Sequence, residues 1–185
     1  MLQLFYSITK FIPYDCYQDV FSINYNKLYE DGKRIILMDI DNTLIPYDQD
    51  LPSPKIKDFI EKLKKIGFKI ILFSNNGYNR VSKFSEACSL PFINNAVKPF
   101  GKGYRKALKL AKSNNLSEYI GIGDQLMTDV LGGNRFGIEV ILVRPLKKRS
   151  EKWYTKINRI NERHVLRKLK NSHSEIYKKI EGIYL

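Results

Sequence analysis

Hydrophobic and polar positions along this chain fall into short apolar runs separated by stretches with helical spacing. The first run, Ile35-Ile36-Leu37-Met38, contains no polar residue and passes directly into Asp39-Ile40-Asp41-Asn42-Thr43. Such a run predicts a strand over about 33–39, buried on both faces as in a parallel sheet. Ser53-Pro54 then offers a capping hydroxyl followed by proline at the first helical position. Behind it Ile56, Phe59, Ile60 and Leu63 recur at i, i+3, i+4, i+7, one apolar helix face, and Gly67 closes the helix.

The alternation continues. Phe68 to Phe73 reads as a second buried strand ending on Ser74-Asn75-Asn76, followed by a helix carrying Val81, Phe84 and Cys88. A weaker strand over about 92–97 ends at Lys98-Pro99. Gly101 and Gly103 open a helix whose inner face is Tyr104, Ala107, Leu108 and Ala111. Tyr119 to Gly123 forms the fourth strand and ends at Asp124. A helix through Met127, Val130 and Leu131 runs to Gly137, and Val140 to Val143 is the fifth strand. The fold class is therefore α/β: a doubly wound, Rossmann-like parallel sheet of about five strands.

Three regions follow: an N-terminal extension, 1–32, packed on the core; a catalytic domain, 33–145; and a basic helical extension, 146–185. In the last, Ile157, Ile160, Val165, Leu169, Ile176 and Ile180 give a rough apolar stripe that suits packing at the sheet edge. No repeat or low-complexity segment appears.

Composition adds limits. A 43% hydrophobic content with 12 Tyr and 10 Phe indicates a folded chain. No apolar run approaches the roughly 18 residues that a membrane span requires. Residues 1–12 lack the apolar core and small-residue cleavage site of a signal peptide, so a cytoplasmic location is expected. Cys16 and Cys88 are isolated and offer neither metal spacing nor a disulfide framework. The formal charge of +13 favours a polyanionic partner: a phosphorylated substrate, nucleic acid or an anionic membrane met peripherally. Residues 144–185 hold 13 Lys/Arg against 4 Asp/Glu. Most of the positive charge therefore lies beyond the last strand.

Candidate chemistry sits where the strands end. Asp39 and Asp41, Ser74, Lys98, Asp124 and Asp129 converge on the C-terminal rim of a parallel sheet, the edge where such sheets bind ligands. Taken alone, Asp39 and Asp41 could simply end a strand and start a turn. Crowded carboxylates repel and raise each other's pKa unless a cation relieves them. Oxygen donors in this number suit Mg²⁺, which keeps several waters and takes few protein ligands. A lysine and a hydroxyl suit the charged oxygens of a phosphoryl group. No His/Cys cluster suggests zinc and no GxxxxGK[ST] loop is present. Together the set composes a phosphoryl-transfer site in which one aspartate attacks phosphorus and another moves the proton.

These residues resemble the haloacid dehalogenase-like (HAD) phosphatases, whose four motifs match in order: DxDNT at 39–43, Ser74, Lys98 before Pro99, and GDxxxxD at 123–129. The strings Phe73-Ser74-Asn75-Asn76, Arg80-Val81, Gly123-Asp124-Gln125 and Thr128 to Arg135 are similar to the YqeG family of subfamily IIIA, itself similar to phosphatidylglycerophosphate phosphatases. The resemblance covers roughly residues 11–145. It implies Asp39 as nucleophile, Asp41 as general acid/base and Lys98 as the group that neutralises phosphate and orients Asp39. Ser74 and the Asn75 backbone would bind phosphate, and Thr43 would steady Asp41. Asp124 would hold Mg²⁺ with the Asp39 carboxylate and a backbone oxygen, that of Asp41, while Asp129 would act through water or from behind. Gly132-Gly133 is expected to permit close packing, with Asn134 structural and Arg135 either structural or within reach of the substrate.

About ten residues separate Thr43 from the helix at Pro54, and one helix with one strand fills the interval from Ser74 to Lys98. No inserted cap domain fits, which implies an open site suited to a bulky substrate. Phosphatidylglycerophosphate is the leading substrate. A soluble phosphorylated metabolite or nucleotide is the enzymatic alternative, and a nucleic-acid- or ribosome-associated binding module is the alternative of another class. Oligomeric state is not legible.

Overall fold

The computed structural model describes residues 6–147 and 153–184. The basic positions Lys148, Arg149 and Lys152 lie outside the described residues, as do the side chains of Trp153 and Tyr154. Six strands, β1 (Asp15–Tyr17), β2 (Ile35–Met38), β3 (Lys69–Phe73), β4 (Phe92–Ile93), β5 (Tyr119–Gly123) and β6 (Glu139–Val143), form one parallel sheet ordered β1-β6-β5-β2-β3-β4. In the centre Met38 pairs with Leu72 on one side and with Ile122 on the other.

The helices are α1 (Tyr25–Glu30), α2 (Pro54–Ile66), α3 (Tyr78–Cys88), α4 (Gly101–Ala111), α5 (Leu131–Phe136), α6 (Trp153–Ser172) and α7 (Ser174–Tyr184). Alternating strand residues bury the two faces. Ile36, Met38, Ile70, Leu72, Ile120 and Ile122 meet α1, α2 and α3 on one face. Ile35, Leu37, Ile71 and Phe73 meet α4 on the other. There, α5, α6 and α7 cover Val140 and Leu142. Helix α2 forms as its sequence dictates, with Ser53 Oγ accepting from the Ile56 amide and Gly67 in the left-handed region at φ 112°. From β2 the chain proceeds outward to β3 and β4, then returns through α4 to β5 on the other side of β2. The ends of β2 and β5 therefore flank a topological switch point, where a crevice opens in such sheets.

Two expectations need correction, and the sheet is slightly larger than the about five strands expected. The sheet has a sixth strand, β1, which pairs with β6 from Asp15↔Ile141 to Tyr17↔Val143. Its three half-buried residues form no apolar run and so leave no periodic signal. The strand expected over 92–97 stops at Ile93, because Asn95 and Val97 adopt φ of 44° and 55° and bend the chain out of the ladder. In α6, Val165 and Leu169 are buried as expected, but Ile157 and Ile160 face outward. The inward positions on that part of the helix belong to buried Thr155 and Glu162.

Candidate active site

The chain leaves β2 still on the ladder, with the Asp39 amide donating to Ile122 O at 2.9 Å. It then wraps around the Ile40 carbonyl, which accepts from the Thr43, Leu44 and Ile45 amides. Asn42 takes φ of 62°, a left-handed conformation that asparagine tolerates better than most residues. This turn holds Asp39 and Asp41, two residues apart, toward the crevice.

Lys98 balances the charge. Its buried Nζ donates to Asp39 Oδ1 at 2.6 Å, Asp129 Oδ1 at 2.6 Å and Phe73 O at 2.9 Å. Burial alone would lower the lysine pKa, but Asp129 and Asp39 outweigh it and hold the ammonium above its usual range. Burial pushes the Asp39 carboxyl up, Lys98 opposes this, and Asp129 and Asp41 add to it; the group ends at about 7. Asp129 is fixed through Oδ2 by the Gln125 amide and the Thr128 hydroxyl, each at 3.2 Å. It packs so tightly on Gly123 that a Cβ there would lie 2.3 Å from its Cγ. Only glycine fits beside that carboxylate.

Asp41 is held from the opposite side. Arg80 Nε reaches its Oδ1 at 2.5 Å, and Asn76 Nδ2 reaches Oδ2 at 2.5 Å. Ser74 Oγ approaches the same Oδ2 at 3.4 Å. Arg80 also binds Asp50 Oδ1 at 2.8 Å, tying α3 to the loop after the first motif. Thr43 donates to Asp39 Oδ2 at 3.2 Å, so it steadies the first aspartate rather than the second. Asn75 embraces the Lys98 backbone, accepting from its amide at 2.7 Å and donating to its carbonyl at 3.1 Å.

Asp124, at the end of β5, is wholly buried and meets α6. Arg159 Nη2 bonds to its Oδ2, and Arg159 Nη1 donates to its carbonyl at 2.8 Å. The Asp124 Oδ1 atom is buried and accepts no hydrogen bond among the described residues. Burial pushes this carboxyl well up, Arg159 opposes the shift, and Asp39 and Asp129 add to it. Glu162 Oε2 accepts from Arg159 at 3.0 Å, while its Oε1 accepts from the Leu126 amide at 2.7 Å and the Met127 amide at 3.4 Å. Two more links bind α6 to the rim: Tyr47 OH with Thr155 Oγ1 at 3.1 Å, and Asn158 Nδ2 with Gln125 Oε1 at 3.3 Å.

Asp39, Asp41, Ser74, Asn75 and Lys98 thus line one pocket, with Tyr47, Gln125, Thr128, Thr155 and Asn158 on its other walls. Its volume is about 40 Å³. Asp124 and Asp129 do not line this pocket, and buried Thr43 supports its floor. No domain is inserted between the motifs, yet the site is not open as that spacing implied: α6 borders it. Gly132 and Gly133 serve packing, since a Cβ on either would strike Tyr104 or Val140. Asn134 donates to the Lys10 and Ile12 carbonyls, and Arg135 to Pro99 O. The sequence reading missed Asn76, Tyr47, Thr155, Asn158, Arg159 and Glu162 as site residues. Arg80 had a signal in its string; the α6 residues carried none beyond being polar positions in an otherwise apolar stripe.

The donor set suits a hard cation. Asp39 and Asp124 supply carboxylate oxygens at the ends of adjacent strands, and Mg²⁺ commonly takes only one or two carboxylates and keeps its waters. Among the described residues, no group of three or more His, Cys, Asp or Glu is poised as a closed cage. The carboxylates are engaged instead by Lys98, Arg80 and Arg159.

A parallel α/β sheet with buried carboxylates and a lysine on its C-terminal rim defines a hydrolase of the HAD type. The sequence profile of the haloacid dehalogenase-like hydrolases matches residues 13–137, and the chain belongs to that family. It is 39% identical over 160 residues to the probable phosphatase YqeG of Bacillus subtilis strain 168, covering 86% of this chain and 92% of that protein. A cobalt-bound deoxy-D-mannose-octulosonate 8-phosphate phosphatase from Haemophilus influenzae shares the fold at TM-score 0.50 and 12% identity, over 63% of this chain and 70% of its own. An uncharacterized protein from Listeria monocytogenes serotype 4b does so at TM-score 0.50 and 17% identity, over 59% and 77%.

Proposed function

We propose that the chain is a Mg²⁺-dependent phosphomonoesterase acting through an aspartyl phosphate on Asp39, with phosphatidylglycerophosphate as its substrate. The observation that carries the chemistry is Lys98 bridging Asp39 and Asp129 beside Asp41 and Asp124 at one strand edge. Similarity to a probable phosphatase supports the reaction class. Asp39 and Asp124, with the Asp41 backbone oxygen, would hold the ion, and Asp129 would stand behind them. When bound, the cation supplies charge neutralisation between the nucleophile and the phosphoryl oxygens.

Asp39 attacks phosphorus, forming a carboxylate–phosphorus bond while the ester oxygen leaves with its electron pair and takes a proton from Asp41. Water, giving its proton back to Asp41, then attacks phosphorus and frees Asp39. One Asp41 oxygen must turn from Arg80 or Asn76 to do this. Lys98 holds Asp39 in line and offers positive charge to the phosphoryl group, with Ser74 and the Asn75 amide beside it.

The lipid substrate draws support from the positive charge of residues 144–185 and the family resemblance. That charge would also bring the enzyme to an anionic membrane surface. Among the described residues no helix is long and apolar enough to cross a membrane. Phosphate release from phosphatidylglycerophosphate, nucleotides and sugar phosphates, with Mg²⁺ and with EDTA, tests the reading. The lipid ester should turn over fastest, and only with Mg²⁺. Preference for a soluble ester would replace the substrate, and no release from any ester would sink the enzymatic reading.

A further inference from the structure

The reading of Asp124 as a metal ligand leaves Arg159 unexplained. Its guanidinium grips one Asp124 carboxylate oxygen and the Asp124 carbonyl together. The arginine is nearly buried, its side chain 11% exposed, and Glu162 anchors it from one turn further along α6. Glu162 is in turn fixed by two amides of the segment that follows Asp124. This is a built contact rather than a passing surface pair. It comes from a helix beyond residues 13–137, the part of the chain that matches the hydrolase family.

We propose that Arg159 is a tethered counter-cation which a divalent metal ion must displace from Asp124, making α6 a metal-sensitive cover over the site. The inference rests on the proposal that Asp124 takes Mg²⁺. A buried carboxylate demands a positive partner, and the Arg159 guanidinium occupies that role against Asp124. A divalent ion placed against Asp124 competes with the guanidinium and repels it. Losing this contact weakens the hold of the first turns of α6 on the rim, leaving the Thr155–Tyr47 and Asn158–Gln125 bonds, the amide contacts of Glu162 and, further along, buried Val165 and Leu169.

The size of the pocket points the same way. About 40 Å³ lies far below the roughly 300–1,000 Å³ of ordinary ligand pockets, and Thr155 and Asn158 of α6 form part of its wall. Admitting a phosphate ester requires that wall to move. Coupling between sites is reciprocal, so a metal that loosens α6 binds more tightly once α6 has been loosened by other means.

Mg²⁺ titration calorimetry on the metal-stripped full chain tests this, comparing wild type with Arg159→Gln and with Arg159→Lys, each checked for folding by circular dichroism. Arg159→Gln should bind Mg²⁺ on the order of tenfold more tightly, with Arg159→Lys closer to wild type. Hydrogen exchange of wild type supplies a readout that needs no variant: Mg²⁺ should speed exchange over residues 155–162. Equal or weaker Mg²⁺ binding by folded Arg159→Gln overturns the proposal, as does exchange over 155–162 that Mg²⁺ leaves unchanged while it binds. If wild type and both variants bind no Mg²⁺, the metal reading of Asp124 itself fails, and this proposal falls with it.

Discussion

Asp39 and Asp129 share the ammonium of Lys98 in a setting where none of the three is more than a tenth exposed. Removing the cation would strand two buried carboxylates, and breaking such a set by deleting one partner costs about 3–5 kcal/mol. Lys98→Met should therefore lose turnover and melt well below wild type at neutral pH; an unchanged melting temperature would deny Lys98 its charge-balancing role. Asp39→Asn makes the converse case. It should abolish turnover, because an amide does not attack phosphorus as a carboxylate does, while leaving the fold intact. Its stability carries a pH signature. The folded pKa of about 7 lies above the reference 3.8, so the native state holds this proton more tightly than the unfolded chain. The resulting stabilisation is complete below the reference value and is lost as pH rises through about 7. Asn does not ionise and escapes that loss. In EDTA, the stability of Asp39→Asn relative to wild type should grow by on the order of 2–4 kcal/mol between about pH 4 and pH 8. A difference that stays flat across denaturant melts in that range would refute the assignment.

At the scale of elements, the sequence was most legible where burial and periodicity coincide. The central strands β2, β3, β5 and β6 are apolar because helices cover both their faces, and α2 carries its own start and stop signals. The motif aspartates and Lys98 were legible for a related reason, since a buried strand must end where charge begins. What escaped had no such coincidence. Strand β1 is held by backbone pairing with β6 and by the Tyr14 amide on Val140 O at 2.8 Å, neither of which requires a particular side chain. Helix α6 was misread in its first turns because an apolar stripe was expected to face inward. It faces a polar rim there, and Thr155, Arg159 and Glu162 turn in while Ile157 and Ile160 turn out. Glu162 is the clearest such residue, a buried carboxylate accepting from the Leu126 and Met127 amides at the start of the helical turn Leu126–Val130 that runs into α5, where negative charge is favoured. Glu162→Ala should cost about 1–3 kcal/mol by thermal or urea melts, with Glu162→Gln recovering part of it as an acceptor. No loss with alanine would mean that α6 docks on apolar contacts alone.

At the scale of the molecule, α6 has two faces with different tasks. The inner one closes on the site, and the outer one exposes Lys156, Ile160, Arg163 and Arg167 at i, i+4, i+7, i+11. A basic face with apolar residues suits an anionic lipid surface, where each Lys or Arg contributes about 1 kcal/mol, screened over roughly 10 Å at 0.1 M salt. Lys147 is a poor probe of that role. Its side chain pairs with Asp48, so reversing its charge would disturb the loop that follows the first motif. Arg163, Arg167 and Lys168 are exposed and belong to none of the candidate-site contacts described above. Reversing these three to Glu should weaken flotation with anionic liposomes in a salt-dependent manner and slow hydrolysis of a lipid phosphate presented in vesicles. Hydrolysis of a small soluble phosphate ester should hold within about twofold, since the strand-end site is unaltered and screening removes most influence beyond the Debye length. RNA retention measured on the same proteins separates the two polyanions. Loss of RNA binding with liposome binding intact would assign the basic face to nucleic acid, and equal loss of lipid and soluble-ester hydrolysis would show that these charges serve the folded site rather than a surface.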